Sequence, residues 1–363
     1  MPGTIEKILG AETRDLAKLA KIAGDDNPLD FYTYVNLDSI DLGDADTRAL
    51  VDSLRKMVAD YNPEAPLRAE WEERIAAFEQ QRFGESTIED GRKLKFAYDN
   101  FFYRLATAYG EQPEGADWRI YDKPLTTKNR RFWNRWWYAK LRESALKVTE
   151  KQRTVIEEQL HQEDKQPLSK EEQGLYEEII TELSEPKNLE MIDFSQLSFT
   201  RILALDDFVF MVNCTFDNSI ATHDVFCYRT SFSDEANFTH ASFRGKADFT
   251  KARFSGKADF TKARFSGTVN FDDTHYDSNV DFGNVCFASK AYFRRAKFSG
   301  VSDFCSARFN ETTSFFNSTF DDNPSFRNAN FRKSPNFRDV TSVENSSFPN
   351  ARLIYGRPKS LKL

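Results

Sequence analysis

The sequence is short of the residues that usually carry chemistry. It has four cysteines, Cys214, Cys227, Cys286 and Cys305, in no CxxC pair and at no zinc spacing. Reduced thiols in a cytoplasmic protein are the expectation. The four histidines, His161, His223, His240 and His275, form no local cluster, so no metal site is expected. No glycine-rich phosphate loop, G-x-S-x-G or H-E-x-x-H signature is present. That removes the positive case for an enzyme and leaves no cofactor to expect, although catalytic groups can converge from distant positions. No run approaches the roughly 20 apolar residues needed to cross a bilayer. The N-terminal stretch lacks a basic segment followed by an apolar one, so no secretory signal is expected. The acidic group Asp38, Asp41, Asp44 and Asp46 lacks calcium-loop spacing and reads as a turn before a helix.

What is abundant is phenylalanine: 34 residues in a chain of 363. A generic core has little reason to prefer Phe so heavily, whereas a repeated slot shaped for one side chain does. Internal periodicity bears this out. Phe238, Phe243, Phe249, Phe254, Phe260, Phe265, Phe271, Tyr276, Phe282, Phe287, Phe293, Phe298, Phe304 and Phe309 are spaced alternately by five and six residues. The alternation runs back to Phe194 and forward to Leu353, giving 30 slots of which 24 are Phe. Two residues before each slot, from Cys214 onward, stands only Cys, Ser, Val, Thr, Ala or Pro.

Residues at i and i−2 of an extended segment point to the same side. A large and a small residue therefore face inward on each short side, and four sides of 5, 6, 5 and 6 residues close a coil of 22. Coils stacked at about 4.8 Å give seven and a half coils over 191–355, a rod roughly 36 Å long. Gly245, Gly256, Gly267 and Gly300 fall in the six-residue intervals, where a corner with positive φ is expected. An 11-residue period also suits a right-handed coiled coil, but interior Gly, Pro324 and Pro335 oppose helix. The segments Ala236-Asn237-Phe238, Ala247-Asp248-Phe249, Ala258-Asp259-Phe260 and Ala329-Asn330-Phe331 resemble the A-(D/N)-(L/F) signature of pentapeptide-repeat proteins. The resemblance implies a right-handed quadrilateral β-helix; the sixth residue in every second unit departs from the strict pattern and suggests an oblong coil.

Residues 1–190 show no repeat and read as a mainly α-helical domain, 191–355 as the β-helix and 356–363 as a basic tail, an α+β two-domain organisation. Helical spacing is found at about 4–23, at Leu67, Trp71, Ile75 and Phe78, and at Ala97, Phe101 and Leu105. Ser169 and Glu172 form a capping box before Leu175, Tyr176, Ile179 and Leu183, with Pro186 beyond. An open solenoid end is an unpaired edge, so Phe31–Asp46 or a neighbouring helix is expected to cap it. The large residues Ile192, Leu197, Leu203 and Phe208 at the first small positions suggest a modified end.

Two surfaces are candidates for binding. Lys123–Arg142 carries basic residues and no acidic one, with Arg130, Arg131 and Arg135 among Trp133, Trp136 and Trp137. Such interleaving suits nucleic acid or an anionic membrane surface; equally, Trp133, Trp137 and Leu141 suit a helix-bundle core. On the solenoid, residues 22 apart form ladders: Asp259, Asp281 and Asp303 on one face, Arg264 and Arg308 on the next, Arg253 and Lys297 on the preceding one. The resemblance implies either a protein-interaction scaffold or an acidic DNA mimic acting on a topoisomerase or gyrase. Charge favours the scaffold: the chain's −7 divides as −10 over 1–190 and +3 over 191–363, leaving the repeat region far from acidic. The expected partner is another protein, with a second copy pairing through the C-terminal coil as a further possibility.

Overall fold

The structure, a computed structural model, describes residues 88–89, 92–113, 121–143, 145–342 and 352–353, all within one compact unit, Thr87–Leu363. The helices expected at 4–23 and around Leu67–Phe78, the segment Phe31–Asp46, the acidic group before residue 47 and the tail 356–363 lie outside the described residues.

From Met191 the chain winds into a four-sided parallel β-solenoid. Its faces are numbered here in chain order, starting with the strands Met191–Asp193 (face 1), Leu197–Phe199 (face 2), Leu203–Ala204 (face 3) and Val209–Phe210 (face 4). Each face is one parallel sheet, of six, nine, six and seven strands respectively. Register repeats every 22 residues, as in Val225↔Ala247 and Arg253↔His275. The remainder of the expected seven and a half coils falls largely on 343–351 and 354–355, outside the described residues.

The inward pattern follows the period. Phe249, Phe254, Phe260, Phe271 and Phe282 are all fully buried, and so are the small Ala252, Ala258 and Ala263. Successive rings of one column stack nearly parallel: Phe238–Phe260 at 4.8 Å and Phe260–Phe282 at 4.9 Å. Rings of neighbouring columns meet edge to face, as Phe260–Phe271 does at 5.5 Å. Both geometries suit the ring quadrupole. Two of the Thr residues at small positions donate to a carbonyl of the coil before: Thr230 to Leu205 at 2.7 Å and Thr274 to Phe249 at 2.9 Å.

The corners differ from the expectation. Gly245, Gly256, Gly267 and Gly300 do not have positive φ; among the described glycines only Gly110 does. The left-handed residues sit instead at the five-residue corners, and none is glycine: Lys251, Lys262, Asp273 and Asn284 have φ of 56–59°. Each is the third residue of a tight turn, closed for Lys262 by Ala263 N–H donating to Phe260 C=O at 2.9 Å. The glycines serve a different need, close stacking of the wider corners. A Cβ on Gly245 would lie 2.5 Å from the carbonyl carbon of His223 in the coil before.

A helical segment closes the N-terminal end. It contains α1 (Phe101–Ala106), α2 (Lys123–Arg142), α3 (Glu150–Gln159) and α4 (Lys170–Glu182). Asn100 breaks the expected Ala97–Leu105 run, capping α1 by accepting from Tyr103 N–H at 3.0 Å after a 3-10 turn at Ala97–Asp99. The capping box of Ser169 and Glu172 opens α4 as expected, and α4 ends before Pro186. The first coil's exposed edge is met side by side. Strand Lys95–Phe96 adds to face 2, with Lys95 N–H donating to Gln196 C=O at 2.7 Å. Asn100 donates to Asp193 C=O on face 1 at 2.7 Å. On face 4, Trp133 donates to Val209 C=O at 3.0 Å while Asn134 accepts from Val209 N–H at 2.9 Å. These bonds satisfy backbone groups that would otherwise template strand addition. Among the described residues the strand Lys95–Phe96, Asn100 and α2 cover this edge; beneath α2, Trp133 lies 5.7 Å from Phe208 and 5.3 Å from Phe210.

Candidate interaction surface

Turn chemistry divides the rod's outer surface by charge. On faces 1 and 3 each ring precedes a tight corner, and where the residue before the ring is Asp or Asn its side chain bonds that corner. Asp259, Asp281 and Asp303 accept from the N–H groups of Thr261, Gly283 and Cys305 at 2.9, 2.7 and 2.7 Å. Asp248 and Asn270 do the same on face 3. Asp and Asn suit this Asx geometry, so these faces gain acidic or amide residues for a local reason. On faces 2 and 4 the ring precedes a wide corner and that constraint is absent. There the corresponding positions hold Arg264, Cys286 and Arg308, and Arg253, His275 and Lys297.

The seven ladder residues singled out from the sequence are therefore spread over three faces rather than brought into one site. Asp259, Asp281 and Asp303 stack on face 1, with Lys257 paired to Asp259 at 2.9 Å. Two hydrogen bonds from Thr261 and the Lys257 ammonium hold the Asp259 carboxyl below its usual range despite the raising effect of burial. Arg264 and Arg308 stand exposed on face 2. Arg253 pairs with Asp277 at 2.7 Å and Lys297 with Asp321 at 3.8 Å on face 4.

Comparing only the residue before each ring overlooks the corners. The tight corner between faces 3 and 4 mixes signs: Arg229 pairs with Asp207 at 2.6 Å and Arg295 with Asp273 at 2.7 Å. It also carries every cation over a ring in the described solenoid: Arg229 and Lys251 on Tyr228, Arg294 on Tyr292, and Arg338 on Phe316. Face 2 and its corners add Arg244, Lys246, Lys262, Lys290, Arg332 and Lys333, all exposed. Stacking every column at the 22-residue period would have found them.

The basic aromatic segment is α2, and its rings face inward. Trp133, Trp136 and Trp137 are at most 1% exposed. Arg130 is buried and pairs with Asp164 at 2.7 Å and with Glu163; Arg131 pairs with Glu163 at 2.7 Å and Arg135 with Glu172 at 3.0 Å. The side chains pin α2 to the turn at Gln162–Lys165 and to α4. They offer no ring for stacking on a base.

Among the described residues no His, Cys, Asp and Glu cluster could hold a metal, and no helix is long and apolar enough to cross a membrane. All four cysteines are free, and burial pushes the thiols of Cys214 and Cys227 well up. A small cavity of about 10 Å³ lies inside the early coils, where Ala221 and Cys227 occupy ring slots; it is lined also by Phe199, Leu205 and Phe243 and is barely the size of a water.

No match is found among curated proteins, and none among solved structures. The family model described as pentapeptide repeats in nine copies matches residues 228–275, 238–285 and 293–341. With its parallel sheets, 22-residue register and Phe-stacked interior, the repeat region carries pentapeptide repeats of the kind that this family model describes.

Proposed function

We propose that the protein is a non-catalytic protein-interaction scaffold of the cytoplasm, with the solenoid, 191–355, as its presenting surface and the preceding helical region, within 1–190, as its cap. The observation that carries this reading is the separation of charge onto flat adjoining faces: aspartates on face 1, exposed cations on face 2. A rigid rod holding such faces at fixed spacing recognises an extended partner without reorganising. The interior is filled with rings, which leaves the walls for binding. Segments of the two regions share buried contacts, so the full chain is the proper bait. Affinity capture with the wild type is compared with D259N/D281N/D303N, R264Q/R308Q and R253Q/K297Q. Asn keeps the turn-bonding oxygen of each aspartate while removing its charge. A partner lost with one variant and kept by the others locates the binding face; identical capture by all four proteins defeats the reading.

The topoisomerase-directed alternative rests on the same three aspartates. Inhibition of gyrase supercoiling by the protein, abolished in D259N/D281N/D303N, would favour it. A homodimer through the C-terminal coil predicts a doubled mass in sedimentation at micromolar concentration.

A further inference from the structure

Face 2 carries a charge pattern whose chemistry points to a partner other than a protein. Five consecutive coils each place at least one exposed cation on it: Arg244 and Lys246, then Lys262 and Arg264, then Lys290, then Arg308, then Arg332 and Lys333. With coils about 4.8 Å apart the stripe is roughly 19 Å long. Lys246, Lys262, Arg264, Lys290, Arg308 and Arg332 have no carboxylate partner among the described residues, whereas Lys333 pairs with Glu311. Asp224, beside the stripe, is buried and its Oδ1 accepts from Lys246 N–H at 2.7 Å, and Asp217, at the corner that carries Lys262, lies 3.7 Å from His240.

The chemistry of the face narrows its partner. Protein interfaces centre on apolar or aromatic anchors and are depleted in Lys. Of the described large hydrophobic residues that are exposed, Ile180, Met191 and Val301, none lies on face 2, where Ser266, Cys286 and Ala288 separate the cations. Nucleic-acid interfaces are more polar and strongly positive. Without exposed rings there is no platform for splayed bases, so contact is with phosphates. The aspartates of adjoining face 1 repel a polyanion and confine it to the stripe.

We propose that face 2 binds the sugar–phosphate backbone of double-helical nucleic acid without reading its sequence. This goes beyond the scaffold function and does not depend on it. The test is fluorescence anisotropy of the full chain with a labelled DNA duplex of roughly 20 base pairs, titrated from low to moderate salt. About four phosphate contacts give an affinity that falls roughly tenfold for each doubling of salt. K262Q/R264Q/R308Q should bind at least about tenfold more weakly and show a flatter salt slope. R253Q/R295Q/K297Q, with the same change in net charge on other faces, should stay within about twofold of wild type. Circular dichroism checks that both fold, and the singles R264Q and R308Q, each at an exposed position, should show the same ordering on a smaller scale. Absence of duplex binding at low salt, or equal weakening by both triple variants, overturns the proposal. So does competition by polyglutamate as effective as that by unlabelled duplex, which would make the face a reader of acidic polypeptide instead.

Discussion

Replacing Phe260 by Ala removes a ring from the middle of a column. Phe260 is fully buried, stacked between Phe238 and Phe282 at 4.8 and 4.9 Å, with Phe249, Phe254 and Phe271 edge-on within 6.0 Å. The hole cannot close by collapse, because backbone bonds such as Phe260 N–H to Asp281 C=O at 2.7 Å fix the coil spacing. The loss should reach the large-to-small range of about 3–5 kcal/mol. For a solenoid of about 165 residues unfolding as its own unit, that lowers Tm by roughly 6–20 °C. The assay is urea and thermal unfolding followed by two signals. All five tryptophans precede residue 138, so fluorescence reports on the N-terminal region and far-UV circular dichroism on the whole. Coils interact with nearest neighbours, so the weakened coil should also split the two transitions, with circular dichroism changing first. The control is Lys262→Ala, exposed and two residues along, which should move Tm by less than about 2 °C. Equal shifts for the two variants would refute the assignment of inward and outward positions.

Other perturbations test the rest of the architecture. Tyr276 puts a hydroxyl in a ring slot with no hydrogen-bond partner among the described residues, and burial raises its pKa well above 10; Tyr276→Phe should stabilise by about 1–3 kcal/mol in urea titration. Gly245→Ala would drive a methyl group into the His223 backbone, and a loss of about 1–3 kcal/mol is expected, against almost none if the corner relaxes freely. Asn134→Ala strands the Val209 N–H beneath α2 and should cost about 1–3 kcal/mol, with light scattering detecting aggregation through the uncovered edge. Hydrogen bonding and charge from Arg295 hold the Asp273 carboxyl below its usual pKa. A depressed carboxylate contributes stability above its unfolded pKa and loses it as pH falls through the folded value. Carboxyl NMR titration should show Asp273 moving upward in R295Q, and an unchanged midpoint would dismiss the pairing.

The inward half of the solenoid was legible from residue order alone. A ring at i and a small residue at i−2, repeated at 5 and 6, state which side of each segment is buried, and nothing distant is needed to read them. The capping box at Ser169–Glu172 is legible for the same reason, since its partners are three residues apart. The corners were not. Glycine in the six-residue interval suggested positive φ, but the stacked coils require of Gly245 only that it lack a Cβ, and they hold Lys262 and Asp273 left-handed through bonds to the turn and to the next coil. A stacking demand of that kind lies between residues 22 apart. Likewise the composition of α2 fits a nucleic-acid ligand as well as it fits a lid; only docking onto the first coil, where Trp133 and Asn134 find the Val209 backbone, turned its rings inward. The sequence by itself therefore determined the period, the interior and the local turns. Tertiary structure decided what closes the end and which cations share a wall, because both depend on bringing together groups that the chain keeps many residues apart.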